Sequence, residues 1–195
     1  MTKRLALLWV LILAAAPFVA GAAETKSGTT KSGKPRLEAS QKVTGQATVL
    51  SVNKTKRTVK IVNADGDTVS VECGTQVKNF DQIHPKDVVT LTYVEKLTIE
   101  VEGPGEAGTT EEVTATTAKP GEKPKATVGG KVQYKANITA IDKAKGTVSL
   151  KGADGREATV TPRNPANLAK VNVGDLVVFT YTEALAASVT KAPAK

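Results

Sequence analysis

The chain has 195 residues and a formal net charge of +8, from 27 Lys and Arg against 19 Asp and Glu; 40% of its residues are hydrophobic but only 4% are aromatic. One Cys and one His exclude an internal disulfide framework and a clustered zinc site. The same shortage of aromatics argues against the stacking platforms on which single-stranded nucleic acids bind.

At the start of the chain, Lys3 and Arg4 precede an apolar run from Leu5 to Ala16 and the small residues Ala20-Gly21-Ala22. This is the three-part pattern of a cleaved export signal. Residues 1–22 are therefore expected to be a signal peptide, the product periplasmic or secreted, with no stable membrane insertion after cleavage. A transmembrane anchor needs ~20 apolar residues, a length reached here only by including Pro17 and the cleavage region. Met1 and Trp9 leave with the signal, as do Lys3 and Arg4 but none of the acidic residues, so the remainder carries +6.

Residues 23–40, rich in Gly, Ser, Thr and Lys and without apolar periodicity, predict a flexible lead. A first β unit is expected over 41–102. Its strands are Val43 to Asn53, Thr58 to Asn63 and Thr68 to Cys73, with Val59 and Ile61, then Val69, Val71 and Cys73, on the inward face. Asp65-Gly66 marks the hairpin turn between the last two. Phe80 and Ile83 have the spacing of one helical turn plugging a barrel end, and the organising strand Asp87 to Leu97 and a short fifth strand follow. Residues 103–130, with three Pro and charges of both signs, read as a flexible linker. A second unit over 131–190 and a polar tail over 191–195 complete the chain.

The second unit repeats the first. Residues 47–71 and 136–160 share nine identities in 25 positions, and 83–97 and 171–185 share six in 15, against roughly 6% by chance. Asp154-Gly155 repeats the turn, Leu168 and Val171 the plug, and DLVVFTYTEAL (175–185) the strand DVVTLTYVEKL (87–97). The expected fold is all-β: two tandem five-stranded OB-like small barrels joined by a flexible linker.

No Ser-His-Asp set, phosphate loop or paired-carboxylate arrangement stands out, so no catalytic residue, cofactor or metal ligand is assigned and an enzyme is not expected. His84 is a lone loop histidine, and Cys73 falls on a core face, where a small buried hydrophobe accounts for it. The most distinctive duplicated chemistry is Tyr-x-Glu: Tyr93 with Glu95, and Tyr181 with Glu183, are the candidate ligand-binding residues. Burying each ring on its barrel's apolar face, with the hydroxyl at the edge, would explain the tyrosines structurally.

The second unit, through ITAID (138–142), TVTP (159–162) and VGDLVVFTY (173–181), resembles in layout the OB-like periplasmic copper and silver chaperones of tripartite efflux systems. Through VKNFDQIHPKDVV (77–89), KPGEKP (119–124) and VGDLVVFTYTEAL (173–185), the whole chain is similar to an uncharacterised family of exported Gram-negative proteins with two such repeats. The resemblance implies a fold and a compartment. It does not carry over the chaperones' metal ligands, because soft thioethers select monovalent copper and no Met remains after residue 1. The expected function is an exported, non-catalytic binding or scaffold protein of the cell envelope, recognising an envelope protein or an anionic polymer. A copper-type metal-handling protein is the alternative, and nucleic acid is not expected as a partner.

Overall fold

The computed structural model describes residues 23–192; the expected signal peptide and residues 193–195 lie outside the described residues. Those described are all-β, with ten strands: β1 (Ala23–Thr29), β2 (Pro35–Asn53), β3 (Thr58–Asn63), β4 (Thr68–Glu72), β5 (Val88–Pro104), β6 (Gly108–Thr117), β7 (Lys125–Asp142), β8 (Thr147–Gly152), β9 (Glu157–Val160) and β10 (Asp175–Thr190). Single 3-10 segments at Phe80–Gln82 and Pro165–Lys170 supply the expected helical turns. Both Asp-Gly turns form, with Gly66 at φ 90° and Gly155 at φ 78°, values costly for a residue with a Cβ.

The strands pair into one open antiparallel sheet in the order β4-β3-β2-β5-β10-β7-β8-β9, with β1 on β2 and β6 on β7. This is coarser than two barrels in tandem. Each copy does contribute five strands, but not the five expected. The organising strand does not stop near Leu97 to be followed by a short fifth one: β5 runs unbroken to Pro104. The missing strand comes from the segments read as lead and linker, which hold β1, the start of β2, β6 and the start of β7. β1 and β6 are solvent-exposed almost throughout, so no apolar alternation marks them. What holds them is the outer edge of a long strand, which would otherwise leave its N–H and C=O groups unpaired. Lys119-Pro120-Gly121-Glu122 closes the β6–β7 hairpin, the Glu122 N–H donating to the Lys119 carbonyl at 3.2 Å with Gly121 at φ 82°. That is the Pro-Gly chemistry of a type II turn.

The four long strands make the two copies inseparable. β2, with 19 residues, spans ~60 Å at ~3.3 Å per residue, and one stretch of each long strand serves the shared centre while the other serves a core. Bulges between Val49 and Ser51 in β2, and between Ile138 and Ala140 in β7, bend these strands where the core begins. The first core gathers Val49, Val59, Phe80 and Ile83, with Val89 and Val189 packed against them. The second gathers Ala136, Ile138, Val148, Leu150, Leu168 and Val177 together with Val101. Val101 belongs to the first copy and Val189 is its counterpart in the second, so the end of each copy's last strand completes the other copy's core.

The inward face expected for the third strand is only partly realised. Cys73 packs against the first core, and burial pushes its thiol pKa up, with Arg57 opposing. Val69 and Val71, however, are 52% and 40% exposed, because β4 is the end strand of the sheet and none of the described elements covers it.

A second exchange fixes the Asp that opens each organising strand. Asp87 and Asp175 are 3% and 2% exposed. The Asp87 carboxylate accepts the His84 backbone N–H at 2.8 Å and pairs with Lys123; the Asp175 carboxylate accepts the Asn172 N–H at 2.8 Å and pairs with Lys34. Each lysine lies in the other copy, at the mouth of its first hairpin.

One glycine is required by close approach. A Cβ on Gly152 would stand 1.9 Å from the Tyr134 hydroxyl, and Tyr134 leans on Phe179 with ring centroids 6.3 Å apart. Gly152→Ala should force this stiff ring off the second core and cost ~1–3 kcal/mol, the range for overpacking; a denaturant melt measures it.

Candidate functional site

β5 and β10 lie side by side at the centre of the sheet, and their register makes Glu95 and Glu183 direct cross-strand partners. These two are equivalent in the repeat, so a pseudo-two-fold axis passes between them. Tyr93 stands opposite Leu185, and Tyr181 opposite Leu97. Direct cross-strand partners share a face, as do residues two apart on a strand. All four candidate residues therefore converge on one patch instead of forming two rim sites on two barrels. The Tyr181 hydroxyl donates to Glu183 Oε2 at 3.4 Å.

Neither tyrosine belongs to a core cluster; both are half-buried. The expectation that each ring fills its own barrel is thus not met, because the two cores lie beyond the centre of the sheet and none of the described elements is laid over the patch. Burial pushes both phenols above the usual tyrosine pKa. For Tyr181, the Tyr93 hydroxyl and the charges of Glu95 and Glu183 push further the same way; for Tyr93, a hydrogen bond with Tyr181 opposes the rise. Both hydroxyls therefore stay protonated, as donors, through neutral pH.

Around this polar centre the same face is apolar. Val43 lies opposite Tyr93, Val128 opposite Leu185 and Val132 opposite Tyr181, and Leu97 and Val128 are 38% and 43% exposed. The opposite face carries Lys42, Lys96, Lys131 and Lys135 with Arg36, Glu38, Glu100 and Glu102, among which Lys96 pairs with Glu38, Lys135 with Glu102 and Arg36 with both Glu38 and Glu100. Among the described residues neither Glu95 nor Glu183 makes an ion pair, so two carboxylates face one another across the strands, an arrangement that opposes folding slightly.

The remaining sequence candidates lie elsewhere. His84 is exposed, with Nδ1 3.3 Å from the Lys123 ammonium. Among the described residues no group of three or more His, Cys, Asp or Glu is placed to hold a metal ion. The sequence reading missed a cavity between the second core and the β1–β2 hairpin of the first copy, lined in part by Arg163, Asn164 and Lys170. Its signal was available in the alignment, where Phe80 faces Leu168 and Arg57 faces Gly146: the second copy has the smaller residue each time.

Compared with known protein families, curated proteins and solved structures, the chain matches none.

Proposed function

We propose that the chain is an exported, non-catalytic binding or scaffold protein of the cell envelope, built from two OB-like halves that share one sheet, and that the shared face holds a basic segment of a protein partner. The observation that carries this reading is the convergence of Tyr93, Glu95, Tyr181 and Glu183 on one patch. Two carboxylates without a cation, two phenolic oxygens with lone pairs to accept and an apolar surround suit a Lys or Arg flanked by apolar side chains. A charge-assisted hydrogen bond at a partly desolvated carboxylate is among the stronger polar contacts. A second copy of the chain is a poor occupant, since it would bring four carboxylates together. An anionic polymer, the other expected partner, would be repelled here by the two carboxylates.

The double variant Glu95→Gln with Glu183→Gln tests the reading. Relieving the facing charges should leave stability unchanged or raise it by ~0.2–1 kcal/mol, measured by thermal melt. A photo-crosslinker placed at Leu97 should capture a basic envelope protein with the parent chain and lose it with the double variant. Unchanged capture by a folded double variant would confine the patch to architecture.

A further inference from the structure

The two copies differ in how their interiors are closed. In the first, Phe80 is 3% exposed, and the Arg57 guanidinium covers its ring at 4.6 Å from the centroid while donating to the carbonyls of Cys73, Gly74 and Val77. The Asn79 amide then ties this end to the β6–β7 turn through the carbonyls of Lys119 and Glu122. The second copy has Leu168 for Phe80 and Gly146 for Arg57. Asn167, the counterpart of Asn79, makes no side-chain hydrogen bond among the described residues.

The result is a cavity of about 570 Å³ between the second core and the β1–β2 hairpin, within the size range of small-molecule sites. Much of its wall is apolar, the half-buried Leu37, Ile99, Val171 and Phe179 lying over the buried Ile138, Val148 and Leu150 of the second core. Three cations line it, Arg36, Arg163 and Lys170, and among the described residues no carboxylate-bearing side chain does. Arg36 is already engaged, its guanidinium pairing with Glu38 at 2.8 Å and, through Nε, with Glu100 at 3.3 Å. Arg163 and Lys170 are exposed, at the rim, and make no ion pair among the described residues.

We propose that this interior is a binding site for a single-chain amphiphile with an anionic head group, its hydrocarbon along Leu37, Ile99 and Phe179 and its head between Arg163 and Lys170. An apolar wall meeting a rim of one charge sign selects an acyl chain that ends in a negative group, since the chain is driven in by burial and the head gains charge-assisted hydrogen bonds without leaving water entirely. The site is separate from the Tyr-Glu patch and does not depend on the role proposed for it.

Calorimetric titration of the folded chain with hexadecanoate and with palmitoyl-lysophosphatidate, using monopalmitoylglycerol as the uncharged control, tests this. Both anionic amphiphiles should bind one to one and the control about tenfold or more weakly; the ratio between the two acids tells a carboxylate site from a phosphate site. Arg163→Glu with Lys170→Glu, both at exposed positions, should weaken the acids by a similar factor and leave the control unmoved. Leu168→Phe, which copies the first unit, should abolish binding. Should that variant fail to fold, Val160→Trp, at a wall position 41% exposed, serves instead. Glu95→Gln with Glu183→Gln should bind the acids as the parent does. Absence of binding, equal affinity for acid and uncharged control, or full affinity in the filled variant would overturn the proposal.

Discussion

Expressed apart, residues 23–104 and 105–192 should each fail to unfold cooperatively as a monomer. An independent domain carries its own core, but here the first core needs Val189 and the second needs Val101. Losing the buried Val101 costs up to ~2–5 kcal/mol and losing the half-buried Val189 less, and each half would also strand a buried Asp without its lysine, for ~3–5 kcal/mol more. Together these are comparable with the whole stability of an ordinary domain, ~5–15 kcal/mol. Mixing the halves should restore the cooperative melt. A cut at Gly105–Ala107, the short connection between β5 and β6, should likewise leave two fragments that stay together until denatured. Two stable monomeric halves would show that the shared sheet is dispensable.

Lys34→Ala should be the most damaging single change outside the cores. Its ammonium pairs with Asp175, whose side chain is 2% exposed while that of Lys34 is 16% exposed. Removing the lysine leaves a buried carboxylate with the Asn172 N–H as its remaining partner, a loss of ~3–5 kcal/mol. Lys123→Ala should cost less, since that side chain is 29% exposed and water can reach the vacated place. Adding Asp175→Asn to Lys34→Ala should recover part of the loss, because the amide oxygen still accepts the Asn172 N–H without a charge to bury. A double-mutant cycle from denaturant melts measures the coupling, and purely additive losses would mean the pair contributes nothing of its own.

These two expectations mark what the residues alone could disclose. The Asp-led turn was legible, because Asp87 and Asp175 each meet a backbone N–H three residues back, and local geometry leaves a local pattern. Their lysines were not, since the partners are 36 and 141 residues away in stretches whose composition reads as coil. The repeated Lys-Pro at 34–35 and 123–124 is the one trace of that exchange. β1 and β6 escaped notice for a related reason: with both faces wet they show no period, and only the long strand beside them makes them strands. The Tyr-x-Glu pairs were found as chemistry but placed at two rims, because their meeting depends on the β5–β10 register, which no window along one strand contains.

Val189, which completes the first core, stands near the C-terminal end of the described chain. A chain emerging amino end first therefore cannot finish its first half early, although domains commonly fold one after another as they are made. Closing pairings so distant in sequence is also slow, since the entropy of the loop must be surrendered before any contact rewards it. Until β10 arrives, both Asp-led turns and the edge of β5 wait open. The sheet in effect delays the completion of its first half until β10 has been made.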